Sequence, residues 1–240
     1  MSRDKKVVIS ALIKFLIFGF SFAGMLSCFF GSGFMGGPNI LFKYFTFQSN
    51  VWIALFGLIA GIVSLKNLKS GVLEFSRATY VLQLVFTVSI TLTGIVFCFV
   101  LLPSIASDPA MRAVILDWPQ IFLHVIVPIL SVVDFIGFTR PINFKYKLFD
   151  ILFALIPPIY YWGFSAIGYF KNWDFGGANY PYFFLNYGSP AGFVGFSTEM
   201  PYFMGVLYWI LAIGAFVLIV ASIFRAIVNK MIEKNKERML

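Results

Sequence analysis

Six runs of roughly 20 apolar residues follow one another along the chain, separated by short polar breaks. They cover about 7–30, 41–65, 78–103, 116–138, 148–169 and 203–224, and each is long enough to cross a bilayer as a helix. The breaks carry the residues that end helices: Gly36-Gly37-Pro38-Asn39, Ser107-Asp108-Pro109 and Thr139-Arg140-Pro141. The first run is too long for the core of a signal peptide, and no small-x-small cleavage site follows it, so it counts as a span. The pattern predicts an all-α polytopic membrane protein: one six-helix domain over 1–240, with a long loop at 170–202 and a basic tail at 225–240.

Composition removes the alternatives. Of 240 residues, 60% are hydrophobic and only 12% charged, with a mean hydropathy of +0.90, which excludes a water-soluble globule. Two cysteines, Cys28 and Cys98, both inside apolar runs, exclude a disulfide framework and a cysteine zinc site, and a single histidine excludes a multi-histidine metal centre. No cofactor or metal is expected.

The net charge of +8 reads as topology rather than as affinity for nucleic acid. Arg3, Lys5, Lys6, Lys66, Lys69, Arg77, Arg140, Lys145, Lys147, Arg225, Lys230, Lys234, Lys236 and Arg238 fall on one side. Only Lys43, Arg112 and Lys171 fall on the other, with Lys14 inside the first span. That bias places both termini in the cytoplasm, and the tail extends the last helix into anionic headgroups. The loop at 170–202 is rich in Tyr, Phe, Gly and Pro and nearly uncharged, so it rests in the interface or folds back over the bundle. The two halves do not resemble each other, which argues against an inverted-repeat transporter.

Polar residues are the informative ones inside a bilayer, because burying them costs energy. His124 lies in Phe122-Leu123-His124-Val125-Ile126-Val127-Pro128; among such neighbours its imidazole rests neutral and able to take a proton. Pro128 removes the hydrogen bond that the His124 carbonyl would receive. The second polar cluster is Lys43-Tyr44-Phe45-Thr46-Phe47-Gln48-Ser49-Asn50, at the start of the second span, with Thr46 and Asn50 four apart on one face. Both clusters also have plain structural readings: a histidine bonded to a neighbouring helix for packing, and a threonine bonded to its own backbone. The second and fourth spans run in the same direction. Counting from Ile40 and from Trp118, Thr46 and His124 each lie roughly 9 Å below a helix start at 1.5 Å per residue, the equal depth a hydroxyl–imidazole pair needs. The third span presents Gln83, Thr87 and Thr91 on one face. Asp134 lies ten residues past His124, too far to orient its ring, and pairs with a basic residue near the inner surface; Gln120 is the nearest group to orient the imidazole.

These residues resemble a known family. Lys43-Tyr44-Phe45-Thr46-Phe47, the histidine of the fourth span followed by Pro128, and Tyr180-Pro181-Tyr182-Phe183-Phe184-Leu185 occur in an order and spacing similar to those of the androgen-induced protein, the androgen-dependent regulator of tissue-factor-pathway inhibitor, and the bacterial membrane proteins grouped with them. The resemblance implies an intramembrane hydrolase with a threonine nucleophile and a histidine base, the animal members cleaving fatty acid esters of hydroxy fatty acids. By motif, the nucleophile falls on Thr46 and the base on His124. Asn186 stands where the animal proteins carry an acidic residue, and Gln48-Ser49-Asn50 follows the bacterial pattern; the implied location is a plasma membrane of bacterial type.

The expected substrate is a lipid ester entering from the outer leaflet, with membrane lipids as the partners. Asn50, Ser49, Gln83 and Gln120 are the candidate oxyanion or site-polar residues, and Lys43 and Arg112 the candidate headgroup contacts. The competing reading is a non-enzymatic lipid-binding or transport protein that uses the same polar pocket to hold a headgroup.

Overall fold

The computed structural model describes residues 3–30, 38–70, 75–105, 113, 116–138 and 145–237. Among them are six helices long and apolar enough to span a membrane. They are α1 (Arg3–Phe30), α2 (Phe45–Ser70), α3 (Arg77–Ser104), α4 (Trp118–Phe138), α5 (Leu148–Phe170) and α6 (Val206–Glu237). The protein is all-helical, with one isolated β-bridge, Phe196–Met204, among the described residues.

The polarity of the bundle is inverted relative to a soluble one. Leu12, Leu16, Leu55, Ile59, Ile129 and Ile219 face outward, whereas Lys14, Ser21, Ser49, Asn50, Gln83 and Thr87 are buried. Lipid leaves little hydrophobic gain from helix association, so close backbone approach and interhelical hydrogen bonds hold the helices together. At Gly57 of α2 a Cβ would stand 2.9 Å from the Lys14 carbonyl of α1, and one at Gly61 would touch the Phe15 ring. The most buried helix is α3, which packs on α2, α4, α6 and the first half of α5. One apolar cluster (Ile17, Ile53, Ile90, Val127) ties α1 through α4. A larger one (Leu84, Val88, Ile151, Val217, Phe224) ties α3 to α5 and α6.

Three helices are irregular: α5 opens as a 3₁₀ helix over Leu148–Leu155, and α3 and α4 contain π turns. In α4 the turn Phe122–Ile126 is π-helical, closed by the Val127 N–H donating to the Phe122 carbonyl, immediately before Pro128, which has no N–H to give. A second π turn in α4 covers Asp134–Phe138, and α3 has one at Phe97–Leu101.

Helices α2, α4 and α6 begin on one side of the bundle, and the segment 171–205 folds back over that end. Phe175, Phe184, Leu185 and Ala191 of this segment are buried, and Phe175 presses on Gly168, which leaves no room for a side chain. At the opposite end the Arg77 guanidinium grips both Asp150 oxygens (2.7 and 2.5 Å).

Two boundaries differ from the hydropathy reading. The second span begins at Phe45 rather than 41, because a single helical turn, Pro38–Leu41, and a bend at Phe42–Tyr44 precede it. Leu41 is buried, so an apolar residue outside the helix was counted within it. The last helix begins at Val206 and continues through the basic stretch to Glu237.

Candidate functional site

The bend at Phe42–Tyr44 places Thr46 in the first turn of α2, not six residues along it. His124 lies six residues past Trp118, the first residue of α4, whose N-terminus is capped by Asp117 accepting from the Trp118 N–H (2.8 Å). The expected equality of depth counted from helix starts is therefore wrong. The groups still meet: Thr46 Oγ1 lies 3.1 Å from His124 Nε2, and both residues are buried.

The partner of the other ring nitrogen fixes the tautomer. His124 Nδ1 lies 2.9 Å from the Gln120 carbonyl oxygen, which can only accept. Nδ1 therefore carries the proton, and the Nε2 lone pair of the neutral ring faces the Thr46 hydroxyl. Gln120 orients the ring as expected of its position, but through its backbone; its side-chain amide reaches Cys28 Sγ at 3.4 Å. Phe97 stacks on the imidazole with centroids 4.0 Å apart and planes 19° from parallel, so the π turn of α3 clamps the ring presented by the π turn of α4.

The proposed oxyanion donors divide differently from expectation. Asn50 donates to the Thr46 carbonyl (2.8 Å) and to the Leu123 carbonyl (3.2 Å), and its own oxygen accepts from Ser21 (3.3 Å). It ties α1, α2 and α4 together beneath the pair, and its amide is engaged there rather than directed at a substrate. Ser49 reaches the Thr46 carbonyl (3.1 Å) and the Thr93 hydroxyl (2.8 Å), likewise a structural use. Gln83 is elsewhere: it donates to Asp134 at 2.9 Å, in a cluster where Lys14 pairs with the same carboxylate at 2.5 Å and Ser10 donates to its other oxygen at 2.5 Å. The expected basic partner of Asp134 is thus Lys14, from within the first span. Lys43 donates to the Asp174 carbonyl (2.7 Å) and stands over the Phe175 ring, strapping the loop to α2 instead of facing the site. Arg112 lies outside the described residues.

Tyr182, quoted in the sequence only within a motif, is the residue that reading by polarity passed over. Its side chain is half-buried, and the phenol lies against the Thr46 side chain, the backbone of Phe45 and Thr46, and the Tyr161 hydroxyl. Burial raises it above the ordinary tyrosine value, so it is a protonated donor at neutral pH. Neighbouring rings hold it: Phe184 stacks on it at 5.1 Å and Tyr44 meets it edge-on at 5.7 Å. Tyr44 donates in turn to the Phe175 carbonyl, and Tyr161 to the Lys43 carbonyl (3.0 Å).

Thr46 also lines a cavity of about 100 Å³ among α2, α3, α5, α6 and the folded-back loop, and His124 is not part of its lining. Thr46, Thr93, Tyr161 and Tyr182 line its polar end; beyond them the walls are aliphatic, with Leu155, Ile159 and Ile213 among them. The arrangement provides a hydroxyl with a base behind it, a phenol beside it and an apolar chamber in front. Comparison with family models, with curated proteins and with solved structures finds no match for this chain.

Proposed function

We propose that this integral membrane protein is an intramembrane hydrolase of lipid carboxylic esters, with Thr46 as nucleophile and His124 as base, in keeping with the resemblance to the androgen-induced protein family. The carrying observation is the Nε2 lone pair 3.1 Å from a hydroxyl that lines a lipid-type cavity. His124 takes the hydroxyl proton as Thr46 Oγ1 bonds to the ester carbonyl carbon, and the negative charge moves onto the carbonyl oxygen. Collapse of that intermediate breaks the ester C–O bond, and His124 returns its proton to the departing alkoxide, leaving an acyl-threonine and an alcohol. Water then repeats the sequence, releasing the fatty acid and restoring the threonine.

The oxyanion requires donors in place beforehand. The Tyr182 phenol, which lies against the Thr46 side chain, serves that role; Asn50 and Ser49 position the helix that carries the nucleophile. The basic-residue bias orients the termini to the cytoplasm, which puts the site in the outer leaflet, where both lipid and water have access.

The test uses purified protein in lipid nanodiscs, a fluorogenic lipid ester and a fluorophosphonate probe. Turnover and probe labelling are expected in the native chain and lost in Thr46→Ala and His124→Ala. Full turnover in both variants overturns the dyad, and saturable lipid binding with no turnover in the native chain establishes a non-enzymatic lipid-binding protein instead.

A further inference from the structure

We infer that the chamber in front of Thr46 takes the acyl side of the ester, that the chain enters sideways between α5 and α6, and that Gly214 is the residue at the mouth that admits it. The inference rests on the hydrolase reading. The direction follows from proton traffic. His124 must protonate the leaving alkoxide, so the alcohol departs on the histidine side of Thr46. The acyl chain is left pointing away from His124, into the cavity.

The walls show where the chain goes next. Leu155, Pro158, Ile159 and Trp162 line the cavity from α5, a helical i, i+3, i+4, i+7 stripe, and Ile210, Ile213 and Gly214 line it from α6. Helix α6 packs on Leu148–Leu155 of α5 and parts from Ile156–Phe170, so the seam between them opens along this stripe. Ile159 lines the cavity and is also 56% exposed on the outer face of the bundle; the chamber wall there is one side chain thick. At the seam a Cβ on Gly214 would have Leu155 Cδ2 as its nearest neighbour at 4.0 Å, so a larger side chain has space to grow, and that space is the passage.

Size then sets selectivity. The cavity measures about 100 Å³ and its walls beyond Thr46 are apolar. The carbons next to the carbonyl sit between these walls, while the rest of a long chain runs through the seam among bilayer lipids. The protein therefore takes straight-chain acyl esters with little regard to length and rejects branching next to the carbonyl.

Two measurements test this. In nanodiscs, turnover of straight acyl esters from eight to eighteen carbons should stay within a few-fold, and a 2-methyl-branched ester should fall about tenfold or more, the usual scale for one methyl in an apolar pocket. Gly214→Leu should lower the ratio of long-chain to acetyl ester turnover about tenfold, with Gly214→Ala intermediate. In the Thr46→Ala protein, a fatty acyl ether bearing a diazirine in mid-chain should crosslink to peptides of α5 and α6, and Gly214→Leu should abolish that crosslink. Crosslinks confined to other helices, or an unchanged chain-length ratio in Gly214→Leu, overturn the chamber even where Thr46-dependent turnover stands. Crosslinks at α5 and α6 in a chain that turns over no ester uphold the chamber and remove the hydrolase reading.

Discussion

A methyl group on Gly94 would stand 2.9 Å from the carbonyl oxygen of His124 and 3.1 Å from the Pro128 ring. Pro128 has no N–H to offer that carbonyl, and α3 meets it with a residue that has no side chain. Gly94→Ala must therefore push α4 off α3 exactly where His124 is carried and where Phe97 stacks on it. Overpacking of this kind costs about 1–3 kcal/mol, and a misplacement of about 1 Å at a catalytic group costs on the order of 10²-fold in rate. Thermal unfolding and ester turnover of the purified variant check both; native turnover in Gly94→Ala would mean that the contact does not position the histidine.

Much of this was legible in the residues, and the failures have physical causes. The six spans follow from the cost of unpaired backbone in lipid, which dominates everything local. The start of α2 did not, because Leu41 is apolar and buried yet lies ahead of the bend, and hydropathy does not distinguish the two. Thr46 and His124 were readable as costly polar groups on spans that run the same way, although their depths counted from the helix starts were not. The partners of Asn50, Ser49 and Gln83 were not: sequence puts each on an inward face, but only packing decides whether an amide meets a carbonyl, a carboxylate or a cavity. Tyr182 gave no signal beyond its place in the motif Tyr180–Leu185, since a phenol in a nearly uncharged aromatic loop looks like an interface anchor until the loop folds back on α2.

Tyr182→Phe tests that residue. The phenol lies beside Thr46, and burial raises it above its ordinary value, so it keeps its proton through neutral and mildly alkaline pH and donates without titrating there. Removing it while keeping the ring and its stack on Phe184 should lower kcat about 10²–10³-fold, the usual loss for one oxyanion donor. KM should change little, because the donor acts mainly in the transition state. A variant that loses affinity but keeps kcat would make Tyr182 a wall of the chamber and nothing more.

Asn50→Leu separates architecture from chemistry. The amide bridges the Thr46 and Leu123 carbonyls and accepts from Ser21, so the isosteric apolar change strips buried polar groups of their partner at about 1–3 kcal/mol. The expected signature is a lowered unfolding temperature with turnover that recovers at low temperature, where the helices remain docked. A loss of turnover with unchanged thermal stability would return Asn50 to the role of oxyanion donor.

The pair Lys14–Asp134 should respond as a unit, and independently of the dyad. Both side chains are 3% exposed, deep between α1, α3 and α4. Lys14→Met leaves the carboxylate buried without its countercharge, with Ser10 and Gln83 still donating to it, and breaking one side of a buried pair typically costs about 3–5 kcal/mol. Adding Asp134→Asn removes the orphaned charge while keeping an acceptor for Gln83 and a donor for Ser10, so the double variant should unfold at a higher temperature than Lys14→Met alone. Asp134 lies ten residues from His124, about 15 Å along the helix. Ester turnover per folded molecule should therefore follow the native value in both variants. Additive losses in the double variant would show that lysine and aspartate do not sense each other. A specific fall in turnover at full folding would show that this second cluster is coupled to the first through α4.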